Sequence, residues 1–578
     1  MPSMRAFAEV CDAVAATPKR LEKVERVRAY VVERPIEEGQ VAARFFSGSV
    51  FAAWEQETLQ VGGALVRRVV EAVLARRVGG DVSAELTAAY RRRGDFGDAT
   101  ADVLAAHASA TDATEDPSVS ALDAALRRAA RASKPAAKGA ILESILERAS
   151  PRVASYTLKI IAGDLRIGLK EALVEEAIAK AFGATLAEVA RANLLVGDVG
   201  EALVLASRGE LAGARMRMFH PLGVMLAAAA GSAQEAFCAF EEAVVEDKLD
   251  GIRAQVHVSE AEGRARIFSR TRDDVTASFP ELEPAVRGLP GELVLDGEVL
   301  AYREGEGALP FAELQKRLGR KVVDDETMRA LPVAFVAFDV LVQDGALVID
   351  EPLSARCARL DAIFAARREP AVLARAGQMS LFGAAPPRGL ALRSITMRAS
   401  SPADLEALFD AAQARGNEGL MIKDARSPYT PGRRGKTWLK LKRELATLDC
   451  VVTAVELGHG RRAGVLSDYT FAVRDEGRLV DIGKAYTGLT DAEIASYTRY
   501  FTERTLVDQG FRRVVEPTLV VEIAFNAIMR SDRHASGFAL RFPRIVRVRD
   551  DKLPADASTL DDARAVFARQ GPRREPVA

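Results

Sequence analysis

In the stretch "VEDKLDGIR", residues 245–253, a lysine stands beside acidic residues and is followed by Asp250-Gly251. A lysine amine attacks only when unprotonated, and neighbouring cations favour that form by lowering its pKa. Lys423, Lys440 and Lys442 supply such cations further along the chain. A phosphorus centre suits this nucleophile, because arginines and a metal ion can hold its oxygens. Alone, K-x-D-G is three fixed residues and Asp-Gly is an ordinary turn, so the weight rests on what accompanies Lys248.

Those companions come in order. "IFSRTRDDV" sets Arg270 and Arg272 just past a strand, where either can reach a phosphate or simply meet solvent. "LDGEVLAYR" places Glu298 among apolar neighbours, and a carboxylate there needs a partner, whether a metal, a ribose hydroxyl or an ordinary salt bridge. "FVAFD" offers Phe338 as a ring for a base, or as plain core. In "NEGLMIKD", Glu418 and Lys423 are of opposite parity, so a straight strand would not present both on one face. A turn at Gly419, or contributions from different edges of a cleft, is required. In "WLKLK", period two places Lys440 and Lys442 together, as a polyphosphate site would need and as any amphipathic strand would show.

These residues need a sheet to hold them. Alternation predicts a strand ending at Lys248, a turn at Asp250-Gly251 and a second strand from Ile252. Residues 222–444 read as an α+β domain with antiparallel sheets, rich in strand patterns such as "GELVLDGEVLAYR" and "VAFVAFDVLVQ". Residues 1–215 read as an all-α domain, with breaks at Thr17-Pro18 and Pro135 and an uncertain segment over 76–125. Residues 445–565 read as a small β-barrel with one helix inside it, and 566–578 as a loose tail. The chain has 578 residues, too many for one core. Its 80 basic and 81 acidic side chains exclude a tail-driven nucleic-acid binder but not a basic face. The four scattered cysteines contain no CxxC, which argues against a zinc-thiolate site or a disulfide framework. The stretch "PLGVMLAAAAG" is too short to span a bilayer, and a cytoplasmic location is expected.

Taken as an ordered set, "EDKLDGIR", "FSR", "LDGEV", "VAFD", "EGLMIK" and "WLKLK" resemble the nucleotidyltransferase superfamily of ATP-dependent DNA ligases, RNA ligases and capping enzymes. "YTLKIIAGDLRIGLKEAL" and "RLEKVERVRAYV" resemble the helical DNA-binding domain of long DNA ligases. "FAELQKRLGRK" is typical of them, and "HASGFALRFPRIVRVRDDK" resembles the last motif of their oligonucleotide-binding (OB-fold) barrel.

By this resemblance Lys248 takes AMP in phosphoramide linkage and Glu246 contacts adenine. Arg253 and Arg270 are the nucleotide and phosphate arginines, and Phe338 stacks on the base. Glu298 and Glu418 contact ribose or metal, and Lys423, Lys440 and Lys442 surround the triphosphate and adenylate. Arg541, Arg544 and Lys552 face pyrophosphate when the barrel closes; Arg544 and Lys552, with Arg166 of "DLRIGL", then grip DNA. Two positions depart from the pattern. Asp247 stands where several relatives carry an aromatic residue, and His220 where relatives carry a base before proline.

The implied reaction uses ATP and Mg²⁺, with Mn²⁺ able to substitute, to seal nicked duplex DNA. A monomer is expected, and a sliding-clamp contact is left open. Recognition would follow nick geometry rather than base sequence, and binding would weaken with salt. An RNA ligase would share the lysine motif and seal RNA ends. A capping guanylyltransferase would use GTP and not need the long helical region. An NAD-dependent ligase would bring clustered zinc cysteines. A nick-binding scaffold would form no lysine adduct.

Overall fold

The computed structural model describes residues 4–108, 115–317, 320, 323–367, 388–432, 434–442, 446–458, 462 and 464–569. Contacts divide it into two compact units, one within residues 1–69 and 114–442, the other within 70–113 and 443–578. The expected domain division at 444/445 lies outside the described residues. Among the described residues no helix is long and apolar enough to cross a membrane.

Among the described residues twelve α-helices, from Met4–Ala15 to Val199–Arg208, precede the first strand. The breaks fall where the backbone chemistry puts them. Helix Met4–Ala15 ends before Thr17-Pro18, and Pro135 opens helix Pro135–Leu146 at its first turn, where a missing N–H costs nothing. In the uncertain segment, helix Val82–Arg93 ends on Gly94 at φ 63°, and Asp95 caps Phe96–Ala106 by accepting from Asp98 N. A left-handed glycine and an aspartate cap in succession thus separate two helices that the glycine count had obscured.

In the first unit two sheets follow. One has the order Leu226–Ala230, Arg434–Leu441, Gly419–Asp424, Ala243–Lys248, Thr396–Met397. The other runs Arg264–Ser269, Ile252–Ser259, Leu293–Arg303, Val333–Gln343, with short strands added at its margins. The expectation of antiparallel sheets needs correcting. Leu226–Ala230 lies parallel to Arg434–Leu441, and Leu390–Arg393 parallel to Val333–Gln343. Both parallel pairs join strands far apart in sequence, as parallel pairing requires, and helix Leu353–Ala365 occupies the second connection.

The second unit holds an antiparallel sheet around the long strand Ala446–Leu457. Leu466–Asp475 pairs with it along one edge; Arg512–Val515 and Val520–Phe525 share the other. Val520–Phe525 also pairs with Arg544–Val548, while Ala527–Arg530 and Phe538–Arg541 form a separate hairpin. Among the described residues no ladder pair closes this sheet into a barrel. Helix Asp491–Glu503 starts on a Thr490/Glu493 capping box. The final helix, Leu560–Arg569, buries Val566 and so carries ordered structure four residues into the expected tail; the remainder, 570–578, lies outside the described residues.

Buried charge holds the sheets of the first unit. Asp339, beside Phe338, accepts a fork from Arg356 at 2.8 and 3.0 Å, and both side chains are fully buried. Arg356 also donates to the Ser427 carbonyl at 3.1 Å. His257, fully buried, accepts from Phe219 N at 3.1 Å and meets Gln255 Oε1 at 2.9 Å. Burial lowers its pKa to about 3.

Two stability predictions follow from these groups. Arg356→Met strands a buried carboxylate and is expected to cost about 3–5 kcal/mol in urea unfolding, with the Arg356→Met/Asp339→Leu pair recovering most of it. His257 is neutral when folded and takes a proton on unfolding below its ordinary pKa of about 6.5. Stability should therefore fall as the pH drops, by about 1 kcal/mol from this residue between pH 7 and 5.5. Urea unfolding of His257→Gln at the two pH values should show a correspondingly shallower loss.

Candidate active site

Lys248 ends the strand Ala243–Lys248, and the next strand starts at Ile252, as alternation predicts. Gly251 is required in the turn between them. A Cβ there would meet the Val299 carbonyl at 2.3 Å and Glu298 Cγ at 2.9 Å. The glycine thus lets the lysine turn approach the strand that carries Glu298.

Pairing explains how residues of opposite parity reach one place. Gly419–Asp424 runs antiparallel to Ala243–Lys248, with Gly419 opposite Lys248 and Met421 opposite Glu246. Lys423 shares the face of Met421 and donates to Glu246 Oε2 at 2.7 Å. Glu418 precedes the strand, and Gly419 takes φ 144° between them. That turn brings Glu418 Oε2 to 2.8 Å from Lys248 Nζ and into contact with Lys442. Lys440 lies opposite Met421 on the neighbouring strand.

A cavity of about 170 Å³ opens here. Glu246, Lys248, Arg253, Arg270, Glu298, Phe338, Lys423 and Lys440 line it, together with Met421, Arg434 and Trp438. Two larger hollows, about 500 and 480 Å³, have no lysine in their walls. The eight expected residues come from six strands and the segment after Arg264–Ser269 that carries Arg270, yet share one wall.

The cavity floor is aromatic and cationic. Lys423, 1% exposed, sits 4.5 Å from the Phe338 ring centre and 4.4 Å from that of Trp438. Arg253 lies 4.7 Å from the Phe338 ring and forks onto Asp296 at 2.7 and 2.6 Å. Tyr429 donates to the same carboxylate at 2.6 Å. Glu246 is buried, and its Oε1 has no hydrogen-bond partner among the described residues. Arg393 stands 3.9 Å from that oxygen. An acceptor stranded on a cavity wall fits an amino-bearing ligand such as adenine.

The charges divide by environment. Burial pushes Glu298 up to about 7, with Arg253 and Lys248 offsetting part of the rise. Burial also opposes ionisation of Glu418, but Lys248 and Lys442 outweigh it and hold the group at about 2. Burial, then Lys442 and Arg434, lower Lys440; burial, then Lys248, lower Lys442. Among the described residues no group of three or more His, Cys, Asp and Glu forms a metal cage. Glu298 and Glu418, facing lysines suited to phosphate, still fit Mg²⁺, which binds through one or two carboxylates plus phosphate oxygens.

The other expected residues lie elsewhere. Arg166 takes φ 56° in the turn after helix Pro151–Ala162, and Lys23 anchors that turn by donating to Ile167 O at 2.7 Å and Gly168 O at 3.2 Å. Arg541 ends strand Phe538–Arg541 and Arg544 opens Arg544–Val548, both in the second unit. Lys552 donates to Asp449 at 2.6 Å, and Arg549 pairs with the same carboxylate. His220 stacks on Trp54, with 4.6 Å between centres and 7° between planes, and burial lowers its pKa.

Sequence reasoning missed several supports. Asp296 is two residues before Glu298 in "LDGEV", so period two could have flagged it. Trp438 was visible in "WLKLK" as a large apolar residue of the same parity as Lys440. Nothing local pointed to Tyr429, Arg415 or Asn417, whose partners are far away in sequence.

Comparison with known proteins supports one family along the chain. The family described as ATP dependent DNA ligase domain matches residues 224–442, DNA ligase N terminus matches 3–179, and ATP dependent DNA ligase C terminal region matches 462–552. A probable DNA ligase of Koribacter versatilis is 54% identical over 98% of this chain and 97% of its own length. A DNA ligase of Methanoculleus marisnigri is 33% identical over 98% of each chain. The solved structure titled Pmar-Lig_Pre is 18% identical, with a TM-score of 0.59 over 94% of this chain and 99% of that one, a likeness of fold. The chain belongs to the ATP-dependent DNA ligase family.

Proposed function

We propose that Lys248 is the nucleophile through which this ATP-dependent DNA ligase seals nicks in duplex DNA. The observation that carries the assignment is the convergence of Lys248, Glu246, Arg253, Glu298, Phe338 and Lys440 on one cavity wall.

Sealing takes three displacements at phosphorus. The Lys248 amine attacks the α-phosphate of ATP, a P–N bond forms, and pyrophosphate leaves. The 5′-phosphate at the nick then attacks the lysyl-AMP phosphorus, the P–N bond breaks, and a DNA-adenylate forms. The adjacent 3′-hydroxyl attacks the nick phosphate, and AMP leaves as the strand is joined.

The residues divide this work. Glu246 accepts from adenine while Lys423 holds the carboxylate from behind. Phe338 stacks on the base. Asp296 and Tyr429 fix Arg253, which with Arg270 orients the nucleotide. Lys440 and Lys442 neutralise phosphate oxygens as charge shifts toward the leaving group. Glu298 and Glu418 hold Mg²⁺ (Mn²⁺ can replace it), which supplies charge neutralisation at the transferring phosphate.

The domain reading follows the same lines. Residues 1–215 are the DNA-binding region, 222–444 the adenylation domain and 445–565 the OB-fold domain; of the segment 566–578 read as a tail, residues 566–569 belong to the final helix. The sheet bulges and the bond from Ile545 N to Thr487 O at 3.0 Å support closure of the second unit's sheet as an OB-fold. Arg541, Arg544 and Lys552 act on pyrophosphate; Arg544, Lys552 and Arg166 act on DNA. Lys552 exchanges Asp449 for phosphate when it does so. The enzyme works in the cytoplasm as a monomer.

Purified protein incubated with ATP and Mg²⁺ without DNA should gain one AMP, mapped by mass spectrometry to Lys248. Lys248→Ala should gain none. Nicked duplex DNA should discharge the adduct and be sealed; discharge by RNA ends alone would instead mark an RNA ligase. Absence of an adduct in nucleotide-free wild-type protein would overturn the assignment. In parallel, affinity for nicked duplex should fall steeply with salt, and Arg166→Ala should reduce the slope of log affinity against log salt by about one contact's worth.

A further inference from the structure

We propose that Asp247, which the reaction does not consume, is a positioning residue for self-adenylation: with Arg415 and Asn417 it clamps the turn that presents Glu418 to Lys248. The proposal rests on the assignment of Lys248 as the nucleophile.

Asp247 lies between Glu246 and Lys248, and strand alternation turns its side chain away from theirs. Its carboxylate accepts a fork from Arg415, Nε to Oδ2 at 2.8 Å and Nη2 to Oδ1 at 2.7 Å. The Asn417 amide adds a third bond to Oδ2 at 2.8 Å. Arg415 closes helix Pro402–Ala414, so the fork joins the lysine strand to the end of that helix. The backbone adds a parallel tie, with Glu418 N donating to Lys248 O at 2.8 Å.

The tie is needed because the turn is permissive. Gly416 at φ 84° and Gly419 at φ 144° bracket Asn417 and Glu418, and glycines restrict the backbone least. Held between them, Glu418 places Oε2 at 2.8 Å from Lys248 Nζ. Without the fork the two glycines let the turn pivot and the carboxylate leave the amine. A bidentate pair fixes orientation as well as distance, which a single contact does not. The guanidinium is half exposed, so the pair adds little to global stability and its effect should show in the chemistry.

The test uses AMP-free full-length enzyme in single-turnover self-adenylation with labelled ATP, and in sealing of a pre-adenylated nick, which takes no nucleophile from Lys248. Asp247→Ala and Arg415→Ala should each slow self-adenylation at saturating ATP by about 10- to 100-fold, as a misplacement near 1 Å does. The double variant should be no slower than the worse single one, because one clamp is lost only once. Arg415→Lys, which keeps the charge and loses the fork, should resemble Arg415→Ala. Sealing of the pre-adenylated nick should fall by less than about threefold, and half-saturation by ATP should shift by less than that. Single variants at wild-type adenylation rates, losses that multiply in the double, a full rescue by Arg415→Lys, or an equal fall in both reactions would each overturn the clamp. A wild-type protein that forms no lysine–AMP would overturn the assignment of Lys248 and the clamp together, whereas an adduct on Lys248 with unaffected variants overturns the clamp alone.

Discussion

Lys248 and Lys442 share one carboxylate, and Lys440 stands on the adjoining strand of the same cleft. Two unit charges 4 Å apart near a protein surface interact by about 4 kcal/mol, and a folded domain holds only about 5–15 kcal/mol in reserve. Packing several ammonium groups together therefore demands an anion among them. Glu418 supplies it, and the two lysines keep it ionised despite burial. The arrangement of the sheets can be understood from that demand. One strand delivers Lys248, a second delivers Lys440 and ends beside Lys442, and the strand between them starts just after Glu418. A polyphosphate entering such a cleft meets cations whose mutual repulsion has been met in folding.

Beneath this lies a second layer in which charge is neutralised before it reaches the cleft. Arg253 is forked by Asp296, Lys423 is paired with Glu246, and Arg356 is forked by Asp339. Such buried pairs bring little net stability, because desolvation offsets most of their attraction. Their value here is placement. The first two lock Arg253 and Lys423 against Phe338 and Trp438, so the floor offers flat aromatic faces with little rotational freedom, while Arg356 lies 6.0 Å from the Tyr429 ring centre. Glu246, a residue of the cavity lining, keeps one carboxylate oxygen without a hydrogen-bond partner among the described residues, with Arg393 3.9 Å from it.

How much of this could be read from the chain alone depends on the range of each interaction. The lysine turn, the Glu298 strand and the parity of Lys440 are properties of a few consecutive residues, and alternation identifies them. The helix breaks at Pro18 and Pro135 are local for the same reason. The segment over 76–125 was obscured because Gly94 ends one helix and Gly97 lies inside the next, so neither marks a loop. The parallel pairings are set by crossovers spanning many residues, which no window shows. Glu418 was the instructive case. Parity excluded it from the face of Lys423, and the structure honours that exclusion, since Glu418 reaches the site from outside the strand through a glycine that no other residue could replace without meeting the Leu441 carbonyl at 2.3 Å.

Asp247 and Lys248 also show why position in a strand matters more than composition. A slip of one residue between Ala243–Lys248 and Gly419–Asp424 would turn Lys248 out of the cleft and Asp247 into it. The cleft face cannot prevent this alone, because Glu246, Lys248 and their partners are long side chains that could find new contacts. The opposite face can. There Leu420, fully buried, lies directly across from Asp247, and the fork from Arg415 ties that aspartate to a helix end. A slipped register would place the aspartate among the lysines and leave Arg415 without its carboxylate. On that rear face Val245, Leu420 and Ile422 share one buried apolar cluster, so a slip would also pull Val245 out of the core and turn Glu246 into it.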